Sequence, residues 1–164
     1  MFHIVLIEPE IPQNTGNIAR TCAATGCALH LVKPLGFEIL DKQLKRAGLD
    51  YWKFVNVTVH DSFEEVQKAA DGNVRFYYFT TKAPRSYTEA AFRKGDYLVF
   101  GKETRGIDEE LLIRHKEECV RIPMIEESRS LNLSNSAAIA VYEGLRQNKF
   151  EGLHESGNLH RLHW

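Results

Sequence analysis

The stretch Phe2-His3-Ile4-Val5-Leu6-Ile7-Glu8-Pro9-Glu10-Ile11-Pro12-Gln13-Asn14-Thr15-Gly16-Asn17-Ile18-Ala19-Arg20-Thr21-Cys22 decides the fold, together with Gly26 and the run Ala28-Leu29-His30-Leu31-Val32 that follows it. The first run is apolar without alternation, as expected of a strand covered on both faces. A polar loop stiffened by two prolines comes next. Asn14-Thr15-Gly16 then opens a segment in which Ile18 and Cys22, four residues apart, share one helical face. Gly26 stands where a helix C-cap belongs. A second apolar run, Ala28–Val32, completes a strand–helix–strand unit, whose two strands are expected to lie parallel.

The same alternation continues outward from this unit. Further apolar runs occupy 55–60, 74–80, 97–101 and 120–124. Between them Asp41 can cap a short helix over 42–47 ended by Gly48, and Ser62-Phe63-Glu64-Glu65 has the spacing of a capping box. Asp108 can start a helix over 109–115, and Ser134 the last and longest, over 135–148. The expected fold class is α/β, with a mostly parallel sheet flanked by helices on both faces. Ligands of such sheets collect beyond the carboxyl ends of the strands. A chain of 164 residues, 43% of them apolar, is the size of one domain. We expect that domain over 1–150 and a tail over 151–164, which Gly152 and Gly157 break. His154, His160 and His163 lie in the tail without a matching carboxylate or cysteine pattern, so no metal is expected.

Composition excludes several classes. The formal net charge is −1, which rules out a uniformly basic protein but not a local patch that holds phosphates. Arg20, Lys42, Lys45, Arg46, Lys82, Arg85 and Arg129 are its candidates. Cys22, Cys27 and Cys119 are sparse and odd in number and read as reduced core thiols. The longest apolar stretches, such as 137–141, fall far short of a bilayer span. The strand-like start has no leader pattern, so a cytoplasmic protein is expected.

Three segments that follow strands carry the chemistry. In 8–20, Asn14, Gly16 and Asn17 make a polar helix entrance, of the kind that favours anions, with Arg20 turned outward. Alone it reads equally as a capped surface helix with an ordinary arginine. Phe100-Gly101-Lys102-Glu103-Thr104-Arg105-Gly106 follows a strand directly, and Gly101 permits close approach of a ligand to the backbone. It is no triphosphate loop, because Glu103 follows Lys102 and Asp96 occupies the place of the upstream glycine. In the third, Ile122-Pro123-Met124 leads to Ser128-Arg129-Ser130-Leu131-Asn132-Leu133-Ser134-Asn135, with more hydroxyls and amides than one N-cap requires. No glycine-rich fingerprint follows the first strand, so a dinucleotide-binding domain has no support.

Together these segments resemble the SPOUT superfamily of knotted RNA methyltransferases. Within it, the chain is similar to the single-domain tRNA (cytidine/uridine-34) 2′-O-methyltransferases of the TrmL (YibK) type. The likeness covers about 2–148 and includes Arg46-Ala47-Gly48-Leu49-Asp50-Tyr51 and Gly95-Asp96-Tyr97-Leu98. The resemblance implies a C-terminal trefoil knot, a homodimer, and S-adenosyl-L-methionine as methyl donor, with S-adenosyl-L-homocysteine as product. It implies that Phe79, Thr80, Gly101, Ile122, Met124, Ser130 and Leu131 hold the cofactor, and that Arg20, Asn14, Glu103, Ser130 and Asn132 form the polar active-site set. The implied partner is a tRNA anticodon stem-loop, with Arg20, Lys42, Arg46 and Arg129 on its backbone and neither membrane nor metal involved. Where family members often carry a small or apolar residue after Phe-Gly, this chain has Lys102, read as an exposed lysine without a role. A 2′-O-methyltransferase for another tRNA or ribosomal RNA ribose, and a non-catalytic RNA-binding dimer, are the alternatives. The first of these commonly carries an added RNA-binding domain, and this chain starts its first strand at residue 3.

Overall fold

The computed structural model of the protein describes residues 1–38 and 54–164. The expected helix capped by Asp41, the residues Lys42 and Arg46, and the 46–51 motif lie outside the described residues. Among the described residues there are six strands: β1 (His3–Ile7), β2 (Ala28–Val32), β3 (Val57–His60), β4 (Phe76–Phe79), β5 (Tyr97–Phe100) and β6 (Cys119–Val120). They form one sheet in the order β3-β2-β1-β5-β4-β6, with every pairing parallel. The helices are α1 (Pro12–Thr25), α2 (Phe63–Ala69), α3 (Glu109–Arg114) and α4 (Leu133–Gln147).

The unbroken apolar runs have a direct cause. Ile4 and Leu6 face a core shared with Ile18 and Cys22 of α1 and with Ala137, Ala140 and Val141 of α4. Val5, between them in sequence, faces a second core with Phe63 and Val66 of α2 and Leu112 of α3. Helices cover both faces, so the central residues of these strands are apolar on both. α4 sits close because Gly144 has no side chain: a Cβ there would lie 2.8 Å from the Phe2 ring. Cys22, Cys27 and Cys119 are buried free thiols.

Element ends differ from expectation for local reasons. α1 begins at Pro12 rather than Asn14, since proline's fixed φ suits the first helical position and its missing N–H is no loss there. α4 is capped by Asn132, not Ser134. The last strand stops at Val120 because Arg121 pairs with the 85–87 segment instead, donating to Arg85 O and accepting from Tyr87 N. β4 starts at Phe76, one residue after Arg75, whose N–H donates to the Asp96 carboxylate. Ser62 caps α2 as expected, but the Glu65 carboxylate takes the Asp61 N–H, so the capping box is half made. Between β4 and β5 the only regular element is a single 3-10 turn, Tyr87–Glu89.

The topology fixes where a site can form. From β1 the chain goes through α1 to β2 on one side; from β5 it goes through α3 to β6 on the other. The boundary between β1 and β5 is therefore the switch point, where loops at the carboxyl ends ordinarily part to leave a crevice.

Candidate active site

A cleft of about 580 Å³ lies beyond the carboxyl ends of β4, β5 and β6, a volume in the range of small-molecule sites. Phe79, Thr80, Thr81 and Lys82 line it from the end of β4, and the 100–106 loop from the end of β5. Ile122 and Met124 follow β6, and 129–133 lead into α4. Ile11 and Asn14 close it from the loop after β1. Phe79, Thr80, Gly101, Ile122, Met124, Ser130 and Leu131, the seven residues singled out for a cofactor, all lie on this wall.

Three polar side chains from three distant segments interlock at one end. The Glu103 carboxylate accepts from the backbone N–H of Glu10 at 2.8 Å and of Ile11 at 3.2 Å, and from Asn14 Nδ2 at 2.9 Å. Asn14, only 4% exposed, uses its Oδ1 to accept from Asn132 Nδ2 at 2.9 Å. Asn132 Oδ1 in turn caps α4, accepting from Ser134 N at 2.9 Å and Ser134 Oγ at 2.6 Å. Each amide end of Asn14 is thereby committed, and its orientation is set by two partners. What this relay can do chemically is hold three loops in one geometry.

Gly101, on the cleft wall, has a further reason to be glycine. A Cβ there would lie 2.1 Å from Gly106 C and 2.3 Å from Ile107 N. The loop's own backbone also demands the close approach. Lys102 corrects an expectation, for it is not an exposed loop residue. Its Nζ is 2.5 Å from Glu8 Oε2, with 29% of the lysine side chain and 35% of the glutamate exposed.

Arg129 and Arg105 are exposed on the cleft wall, whereas Lys82, also there, is paired with Glu109 at 2.5 Å. Arg20 is exposed on α1 and does not line the cleft of its own chain. Asn14, Glu103 and Asn132 are therefore brought together, and Arg20 is not. Sequence reasoning missed Glu8, Glu10 and Thr104. The Glu10 carboxylate accepts from Thr104 N and Thr104 Oγ1, both at 3.0 Å. These contacts span 94 residues, and only the neighbouring of β1 and β5 makes them legible.

A family model described as the SpoU rRNA Methylase family matches residues 1–142, a span that contains all three cleft segments. The chain belongs to that SpoU family. A protein of Methylovorus glucosotrophus, named tRNA (cytidine(34)-2'-O)-methyltransferase, is 54% identical over 153 residues, covering 93% of this chain and 99% of its own. A solved structure described as "Structural insights into the 2-OH methylation of C/U34 on tRNA" superposes with a TM-score of 0.87 at 48% identity, covering 92% of this chain and 98% of that one. The SpoU methyltransferase AviRb from Streptomyces viridochromogenes, solved in complex with AdoMet, superposes with a TM-score of 0.79. Its identity is 23% over 90% of this chain and 57% of that one, so the likeness is one of fold.

Proposed function

We propose that this SpoU-family chain is a tRNA 2′-O-methyltransferase that modifies the ribose of the wobble nucleotide, C34 or U34, with S-adenosyl-L-methionine as donor. The observation that carries this reading is the cleft: the seven cofactor candidates line it, and the Glu103–Asn14–Asn132 relay ties its rim together. The fit to an adenosyl ligand is chemical as well as spatial. Phe79, Ile122, Met124 and Leu131 offer an apolar slot for a purine, while Thr80, Ser130 and loop backbone offer hydrogen bonds. The bound sulfonium supplies an already activated methyl group and is left as S-adenosyl-L-homocysteine.

The chain's own residues then have two tasks, alignment and charge. The relay keeps the 101–106 loop and the start of α4 in a fixed relation, so that a ribose oxygen meets the methyl carbon in line. Arg129 at the cleft mouth meets a backbone phosphate. Arg20, supplied by a partner copy, anchors the adjacent phosphate and polarises the 2′-hydroxyl; guanidinium holds its proton too tightly to act as a base. The homodimer that brings it there is part of the proposal, supported by the exposure of Ile139 (37%) and Tyr142 (49%) on α4. So is the trefoil knot: β6 lies at the sheet edge beyond β4, yet the chain is back beside Asn14 at Asn132. The domain is assigned to 1–150 and the tail to 151–164; Phe150 and Leu153 still pack against the first core. The tRNA substrate assigns the protein to the cytoplasm, and the described residues include no helix long and apolar enough to cross a membrane.

Transfer of labelled methyl groups to tRNA, followed by nucleoside mass spectrometry, tests the assignment. A 2′-O-methyl group at nucleotide 34 is expected. A methyl group at another ribose would replace the substrate, and no transfer to any RNA would leave an RNA-binding dimer.

A further inference from the structure

The loops after β1 and β5 do not part at the switch point. The ladder between these strands pairs His3 with Tyr97 and Leu6 with Phe100. Beyond it the same offset of 94 residues continues in side chains: Glu8 with Lys102, then Glu10 with Thr104. Glu103, between them, reaches back to the N–H groups of Glu10 and Ile11. Three consecutive side chains of one loop are thus spent on the other, and the crevice expected between β1 and β5 is stitched shut. The cleft opens instead on the far side of the 101–106 loop, toward β4 and β6.

That loop has little else to hold it. It folds on itself through Gly106 N donating to Lys102 O at 2.8 Å, and Thr104, Arg105 and Gly106 are exposed. Glu8 adopts a φ of +49°, a left-handed conformation that is unfavourable for a non-glycine residue and persists only where surrounding contacts enforce it. The Lys102 ion pair is such a contact, as is the Glu8 N–H donated to Val32 O at 2.9 Å.

We propose that the Glu8–Lys102 and Glu10–Thr104 pairs form a side-chain latch that seals the switch-point crevice and sets the 101–106 loop as the rim of the adenosyl-cofactor cleft. Glu8, Glu10, Lys102 and Thr104 are then positioning residues for that ligand. The inference rests on the reading of the cleft as the cofactor site. Calorimetric titration of the full chain with S-adenosylhomocysteine tests it on Lys102→Met, Glu8→Gln, the double variant and Lys102→Arg. Each single loss is expected to weaken binding about tenfold, within the usual range of coupling between directly paired residues. The double variant should bind no worse than the weaker single one, and Lys102→Arg should stay near wild type. Because a merely destabilised protein would also bind less, wild type and Lys102→Met are compared again at high salt. Screening should weaken the wild type toward the variant and leave the variant unchanged. If the wild type binds and both single variants match it, or if their losses multiply in the double variant, the latch is wrong while the cleft assignment stands. A wild type that does not bind S-adenosylhomocysteine removes both.

Discussion

Asn132 joins two jobs that a sequence would assign to different residues. Its carboxamide oxygen caps α4, and its nitrogen donates to Asn14. Two substitutions separate them. Asn132→Asp keeps an oxygen for the cap but sets a second acceptor against Asn14 Oδ1, so stability should change little while activity falls sharply. Asn132→Ala removes the cap as well, which costs about 1 kcal/mol in typical helices, and should lower both. Thermal unfolding alongside kcat and KM for each variant checks this. Asp behaving like wild type in turnover would show that the Asn132–Asn14 bond does not set the rim. The same logic explains why Ser134 misled: a serine before an apolar run is a good cap on local grounds, but Asn132 also has a partner 118 residues away.

At the scale of elements, a row of imidazoles crosses three strands. His3 Nδ1 is 2.9 Å from His30 Nε2, and His30 Nδ1 is 3.0 Å from His60 Nε2. Tyr97 stacks on His3 with ring centroids 4.3 Å apart. Burial, then the neighbouring His3 and His60 rings, push the His30 pKa down from 6.5 to about 4. Protonation would make both its ring nitrogens donors and force a neighbour to change tautomer. The sign follows from linkage. Above 6.5 neither folded nor unfolded His30 carries a proton, and stability is unaffected. As pH falls through 6.5 the unfolded chain binds the proton first, so stability drops until about pH 4, where the folded state binds it too. We expect urea unfolding to show a loss of roughly 1–2 kcal/mol from this group between about pH 7.5 and about pH 5, after discounting for partial exposure. His30→Gln should flatten that slope; an unchanged slope would assign the acid sensitivity elsewhere.

At the scale of the molecule, the question is whose Arg20 serves whose cleft. Arg20 lies on α1 beyond the cleft of its own chain, and α4 leaves Ile139 and Tyr142 exposed after its first face is buried. A site shared between two copies accounts for both observations. Arg20→Ala and Gly101→Val should each be nearly inactive as pure dimers, the second because its side chain has no room against Gly106. Random pairing of equal amounts gives about half heterodimers under two-fold symmetry. With shared sites both lesions fall in one site of each heterodimer, and about a quarter of all sites recover. Co-expressed, co-purified heterodimers as inactive as their parents would show that each chain completes its own site.

Much of this protein was legible in local pattern. The runs at His3–Ile7 and Ala28–Val32, the glycine at 26 and the acidic cap at 108 each report a preference that neighbours in sequence decide, and the structure keeps them. The three segments around the cleft were legible for the same reason, since loops that follow parallel strands gather at one end of the sheet whatever the strand order. Strand order itself was not. The placing of β5 beside β1 is a choice among packings that local preference does not rank, and it alone brings residues at an offset of 94 together. Lys102 therefore looked like a loose surface lysine. Periodicity and caps are properties of short stretches, which the sequence determined by itself. Which carboxylate meets which lysine depends on the burial of whole faces, and only the tertiary structure decided that.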